Sequence, residues 1–313
     1  MGSLKECQSC SIFFLSICFL FLSSCADRKL SSSAMVIPKN FDWQGHRGCR
    51  GLMPENTVIA FLEALKYPVT TLEMDVVISK EGEIIVSHDP WMDHEICMGP
   101  GGEEITAANE RQHNIFTLTL AEIRKYDCGK KGNPKFPRQQ KIPTTKPTLS
   151  IVVNAVKEYC RNSGRLLPGF NIEIKSHEAG YGSFVPYPKE FVARVLHEIN
   201  SLEIEPQTTL QSFDLQVLRE LHTQMAFGSR ISYLVESGRS IEEAIAKLGF
   251  TPQIYSPHHR LVSKKTITYA QAHNISVIPW TVNDTKDFRK LIRLGVDGII
   301  TDYPDLIETL NQK

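Results

Sequence analysis

Two alternating periods constrain this chain more than any other feature. Eight short runs, most of them carrying β-branched residues, at 42–45, 70–77, 170–174, 208–211, 230–235, 253–256, 275–281 and 298–301, read as strands. Stretches of helical spacing follow them, at 54–66, 149–160, 188–201, 215–223, 240–248, 263–272, 284–294 and 304–310. Gly164 and Gly295 stand just past two of these stretches, where a left-handed residue ends a helix. Strand then helix, eight times over in 313 residues, predicts an α/β fold closed as a parallel (β/α)8 barrel. An open doubly wound sheet competes with it, but no Gly-x-Gly-x-x-Gly follows the first strand.

One segment interrupts the alternation. Ile84-Ile85-Val86-Ser87-His88 comes only a short turn after the second strand, too close for a parallel crossover. It predicts an antiparallel hairpin that returns His88 to the barrel mouth. Residues 91–148 then show no clear period and are expected to form an inserted lobe beside the site. The barrel is expected over 41–313.

The N-terminus has a different character. Residues 12–22 (IFFLSICFLFL) are uncharged and apolar, but only about half the ~20 residues that span a bilayer. That length suits the core of a signal peptide over 1–24. The run ends in Leu22-Ser23-Ser24-Cys25, similar to the bacterial motif in which the cysteine is acylated and becomes the mature N-terminus. An ordinary signal peptide with an incidental cysteine fits the same residues. On the lipoprotein reading, Cys25 is the lipidation site and 25–40 a tether. The protein would then be exported and held by its lipid on the bacterial cell envelope, at the periplasmic or outer surface. Of the eight cysteines, Cys49, Cys97, Cys128 and Cys160 remain in the domain. A Cys97–Cys128 bridge and four separate thiols both fit. Lys+Arg and Asp+Glu each number 35, so the chain has no net charge and no basic run to favour nucleic acid.

In such a barrel the reactive groups belong at the C-terminal ends of strands. There the chain places His46-Arg47-Gly48, Glu73-Met74-Asp75, His88-Asp89, Glu173-Ile174-Lys175, Gln211-Ser212-Phe213 and Thr301-Asp302. Residues i and i+2 share one face of a strand, so Glu73 pairs with Asp75 and Glu173 with Lys175. Three carboxylates together make an oxygen-rich cluster suited to Mg²⁺ or Ca²⁺. His46 and His88 end separate strands beside charged neighbours, so one can take a proton while the other gives one, as phosphodiester cleavage needs. His258 and His259 are candidates for the mouth. His94, His113, His197, His222 and His273 receive no role.

These residues lie in motifs that resemble the glycerophosphodiester phosphodiesterase family. They are Gly45-His46-Arg47-Gly48 with Pro54-Glu55-Asn56-Thr57, Leu72-Glu73-Met74-Asp75-Val76, Ser87-His88-Asp89, Ile172-Glu173-Ile174-Lys175, Leu210-Gln211-Ser212-Phe213-Asp214, Trp280-Thr281-Val282-Asn283 and the run 295–304. The resemblance implies a TIM barrel of the phospholipase-C-like phosphodiesterase type. It implies hydrolysis of glycerophosphodiesters to glycerol 3-phosphate and an alcohol, with Ca²⁺ or Mg²⁺. It also implies His46 and His88 as acid/base pair, Glu73, Asp75 and Glu173 as metal ligands, and Arg47 and Lys175 on the phosphate. Gln211 joins the substrate-binding set, and Trp280 walls the glycerol side. The same chemistry on lysophospholipids, glycerophosphoinositol or glycerol-phosphate polymers is an alternative, as is a non-catalytic binding lipoprotein. The latter would need no proton donor and acceptor on separate strands.

Overall fold

The computed structural model describes residues 37–224, 230–238 and 240–310. The signal segment and Cys25 lie outside the described residues. Nine strands form one sheet: β1 (Asp42–Gly45), β2 (Thr71–Ile78), β3 (Ile84–Val86), β4 (Gly169–Ile174), β5 (Thr208–Ser212), β6 (Arg230–Val235), β7 (Ile254–Pro257), β8 (Ser276–Val277) and β9 (Gly298–Thr301). Their order is β8-β7-β6-β5-β4-β2-β1-β9, every neighbouring pair parallel, while β3 pairs antiparallel with β2. The seam between β8 and β9 is bridged by backbone bonds from Asp297 N to Val277 O (2.9 Å) and Ile300 N to Pro279 O (3.0 Å). The result is a nearly closed barrel of eight parallel strands, as the alternation predicts.

Helices cover its outside because their apolar residues fall on one stripe. On the helix Leu149–Ser163 the buried positions are Leu149, Val152, Val153, Val156 and Cys160, the i, i+3, i+4, i+7 pattern of one face. Each such aliphatic side chain contributes about 1.5–3 kcal/mol by leaving water. Gly164 and Gly295 take φ of 70° and 95° at their helix ends, as expected.

Two boundaries differ from the sequence reading, each for a local reason. The helix expected from 54 begins only at Val58 (α1, Val58–Ala64), capped by the Thr57 side chain. Asn56 has φ 56°, which no helix admits. The strand expected over 275–281 is regular only at Ser276–Val277. Pro279 has no N–H for the ladder, although Ile278 N and Trp280 N still donate to Tyr255 O and Pro257 O at 3.1 Å each.

Residues 91–148 form a small packed lobe with little regular structure. Its core includes Met92, Ile96, Ile105, Ile115 and Ile123, and it closes on Val77 and Ile85 of the β2–β3 hairpin. Cys97 and Cys128 are bridged, 31 residues apart, and Cys49 and Cys160 are free and buried. Closing a loop of that length restricts the unfolded lobe by about 3–4 kcal/mol, which a core this small needs. No helix among the described residues is long and apolar enough to cross a membrane.

Candidate active site

The C-terminal strand ends converge on a pocket of about 350 Å³ lined by His46, Arg47, Glu73, His88, Glu173, Lys175, Gln211 and Trp280. Asp75 lies just beneath, fully buried. The candidate catalytic, metal and substrate residues of the described chain are thus brought together, while His258 and His259, candidates for the mouth, do not line the pocket and Cys25 lies outside the described chain.

The turn after β1 sets the first group. His46 N donates to Thr301 O of β9 at 2.8 Å. A Cβ on Gly45 would stand 2.3 Å from Gly48 O, and one on Gly48 (φ 82°) 2.6 Å from the Ala60 backbone, so only glycine permits a turn this tight. Arg47, at φ 49°, donates its own N–H to Glu73 Oε2 at 2.9 Å. Its guanidinium reaches Glu55 Oε1 at 2.6 Å and Asp75 Oδ2 at 3.2 Å. Asn56 Nδ2 donates to the same Asp75 oxygen at 2.8 Å. The stretch 54–57 therefore leaves the helix in order to hold the arginine and a carboxylate.

His46 Nδ1 lies 2.6 Å from Asp302 Oδ1, so Nδ1 carries the proton and Nε2 faces the pocket, 3.9 Å from Glu73 Oε2. Asp302 is fixed in turn by Arg50 (2.9 and 3.2 Å) and by Asn283 Nδ2 (2.7 Å). Burial, with the charge of Arg50, lowers His46 to about 4 against the opposing pull of Asp302. His88 Nδ1 pairs with Asp89 Oδ2 at 3.0 Å. Its pKa is also lowered, first by burial and then by the charges of Arg47 and Lys175. Both imidazoles are therefore neutral at pH 7 in the free protein.

Glu73, Asp75 and Glu173 each place an oxygen within 4.8 Å of the others. Burial and the neighbouring Asp75 charge push Glu73 well above its ordinary value, and burial raises Glu173 to about 7 despite Lys175. Burial would raise Asp75 as well, but Arg47 and Lys175 outweigh it and hold it well below its usual range. Asp75 Oδ1 is buried with no hydrogen-bond partner. Such a crowd of buried oxygens, one of them orphaned, fits a hard divalent cation. A second group, Asp93, His94 and Glu110, lies in the lobe, where His94 Nδ1 bonds Glu110 Oε2 at 2.6 Å.

Lys175 Nζ lies 2.8 Å from Glu173 Oε1 and 3.7 Å from Asp75 Oδ1. Gln211 donates from Nε2 to Glu73 Oε1 at 2.9 Å, so its amide orients a carboxylate. Asn171 Nδ2 donates to both Gln211 Oε1 (3.0 Å) and Gln44 Oε1 (2.7 Å), giving the barrel interior a layer of amides under the carboxylates. The Trp280 ring is anchored by Nε1–H to Ser256 O at 2.9 Å and meets Phe213 and His258 edge-on. His258 stacks on His259.

Sequence reasoning gave no role to Asp302, Arg50, Asn283, Glu55, Asn171 or Gln44. Asp302 left a signal as a polar residue ending the last strand, and Glu55 and Asn283 stood within the motifs quoted above without a role of their own. We expect Asp302→Asn to lower kcat by roughly 10²-fold or more while KM moves little. An amide there can donate to Nδ1 and turn the imidazole into the wrong tautomer. Steady-state kinetics within a fewfold of wild type would reduce Asp302 to a packing role.

The chain matches the model of the Glycerophosphoryl diester phosphodiesterase family over residues 46–306. It is 28% identical over 270 residues to a glycerophosphodiester phosphodiesterase of Caldanaerobacter subterraneus subsp. tengcongensis, covering 86% of this chain and 96% of that protein. A crystal structure from Silicibacter pomeroyi, named provisionally as a glycerophosphoryl diester phosphodiesterase, matches with a TM-score of 0.76 at 30% identity, over 89% of this chain and 95% of that one. A phosphodiesterase of Oleispira antarctica, solved in complex with the product sn-glycerol-3-phosphate, matches with a TM-score of 0.67 at 21% identity, over 88% of this chain and 98% of that one. At that identity the likeness is one of fold.

Proposed function

Because the chain belongs to the glycerophosphoryl diester phosphodiesterase family and is a glycerophosphodiester phosphodiesterase, we propose that it releases glycerol 3-phosphate by metal-assisted, two-histidine chemistry. The observation that carries this reading is the meeting of His46 and His88 with three buried carboxylates around one pocket. His46, neutral and held by Asp302, takes the proton of the substrate's own glycerol hydroxyl through Nε2. The glycerol oxygen bonds to phosphorus, the bond from phosphorus to the alcohol oxygen breaks, and that oxygen takes a proton from His88. An anionic phosphate beside His88 raises its proton affinity, so binding of the substrate charges it. Water then opens the cyclic phosphate with the roles reversed: His88 takes the water proton, and His46 returns one to the glycerol oxygen. Attack from within the substrate starts from a positioned nucleophile. Arg47 and Lys175 meet the charge that grows on the phosphoryl oxygens. Glu73, Asp75 and Glu173 would hold Ca²⁺ or Mg²⁺, which supplies further charge stabilisation there. A panel of glycerophosphodiesters assayed with Ca²⁺, Mg²⁺ and chelator tests the reading. Absence of glycerol 3-phosphate under every condition rejects it.

The setting we propose is the bacterial cell envelope, through acylation of Cys25. Each buried methylene contributes about 0.8 kcal/mol, and firm attachment takes two chains. The protein should therefore fractionate with membranes and be released by detergent but not by salt, since the chain carries no net charge. Cys25→Ser should block acylation and leave an unprocessed or soluble form. Wild-type protein recovered free of membrane would reject the anchor and leave the catalytic proposal standing.

A further inference from the structure

Next to the catalytic pocket lies a larger hollow of about 510 Å³. The two share His88, Glu173, Lys175, Phe213 and Glu236, whereas His46 and Trp280 border only the first. The remaining walls come from segments that the mechanism does not use. Trp91 belongs to the inserted lobe, and Phe184 and Val185 to the loop between β4 and α4 (Pro188–Ser201). The two segments are tied to each other. The Trp91 and Phe184 rings meet edge-on at 5.6 Å, and Asn114 Nδ2 of the lobe donates to Ser183 O at 2.8 Å. The hollow is thus a constructed space and not a gap between unrelated loops.

We infer that this hollow receives the departing alcohol and selects alcohols with an alkyl or aryl body over compact cationic ones. The inference rests on the reading of the reaction given above, and two observations carry it further. The first is position. The hollow meets the pocket at His88, which donates the proton to the departing oxygen, while His46, where the glycerol hydroxyl is activated, does not line it. The second is the chemistry of its walls. Trp91, Phe184, Val185 and Phe213 offer apolar surface, which rewards removal of apolar area from water. An aromatic wall can also attract a quaternary ammonium, but here two of the three rings already face a cation. Lys175 Nζ stands 5.8 Å from the centre of Phe213, and the Arg111 guanidinium 5.0 Å from that of Trp91. A choline or ethanolamine group would meet these two like charges beside the carboxylates of Asp89, Glu173 and Glu236, of which Asp89 is already paired with His88 and Glu173 with Lys175. It gains nothing from the apolar walls, whereas a neutral alkyl or aryl group does.

Two substrates and three variants test this. The substrates are glycerophosphoethanolamine and the diester of glycerol 3-phosphate with octanol, and the quantity read is the ratio of their kcat/KM values. Wild type should favour the octyl diester. Trp91→Ala and Phe184→Ala should each shift that ratio roughly 10-fold or more toward the ethanolamine diester, by loss of apolar contact with the octyl group alone. Trp91→Phe should restore most of the preference. A ratio unmoved in both alanine variants overturns the inference. A parallel fall for both substrates, the mark of general damage, also leaves the ratio unmoved and overturns it. Wild type that cleaves the ethanolamine diester as well as the octyl one rejects the hollow's role but not the reaction. Wild type that cleaves neither rejects the reaction itself.

Discussion

His88→Ala is expected to lower kcat/KM on glycerophosphodiesters by about 10²–10⁴-fold, the usual cost of losing a general acid or base. Its folding should be little affected. The His88 side chain is about one third exposed, and its partner Asp89 stands nearly as open, so water replaces what the ring gave. His46→Ala should cost at least as much in turnover but carries a second penalty. It leaves Asp302, 1% exposed, without one of its donors in the interior. Thermal melting separates the two effects. His88→Ala should melt close to wild type, and His46→Ala should melt lower. Near-normal turnover in His88→Ala would remove the two-histidine mechanism.

Chelation carries the second large effect. Stripping divalent ions should cut activity on the order of 10³-fold, since charge stabilisation worth several kcal/mol is lost and each 1.4 kcal/mol is tenfold. The same loss should appear in stability without any substrate. Glu73, Asp75 and Glu173 crowd in the interior, so an ion that binds them favours the folded chain. Ca²⁺ or Mg²⁺ at about a hundred times its dissociation constant should then stabilise by about 2.7 kcal/mol, seen as a rise in Tm. Glu73→Gln removes one negative charge at constant size and should blunt that rise. Full activity after dialysis into excess chelator would dismiss the carboxylate cluster as a metal centre.

The barrel was readable because periodicity is local. Every strand and helix announces itself within a dozen residues. The strand-end rule and the i, i+2 face rule led to His46, Glu73, Asp75, His88, Glu173 and Lys175. What stayed hidden was partnership at a distance. Nothing in the sequence says that Asp302 holds His46, because their contact spans 256 residues. The same holds for Asn171 with Gln44, 127 residues apart. The Pro-Glu-Asn-Thr stretch misled by looking like the first turn of a helix. Its residues instead serve Arg47 and Asp75, and Asn56 takes a positive φ to do so. The lobe itself was expected at 91–148, but its internal structure hid for the opposite reason. Its core is assembled from scattered isoleucines and one disulfide, which leave no period to detect.

The pairing of β1 with β9 has a consequence for timing. The earliest strand of the barrel pairs with β2 on one side but finds its second neighbour, and His46 its carboxylate, only in the latest strand and the residue that follows it. A ribosome that has completed eight of the nine strands has made every carboxylate of the metal cluster and both histidines. It has not made Asp302, and the edge of β1 is still unpaired. The chain therefore stays without a competent base through nearly all of its synthesis.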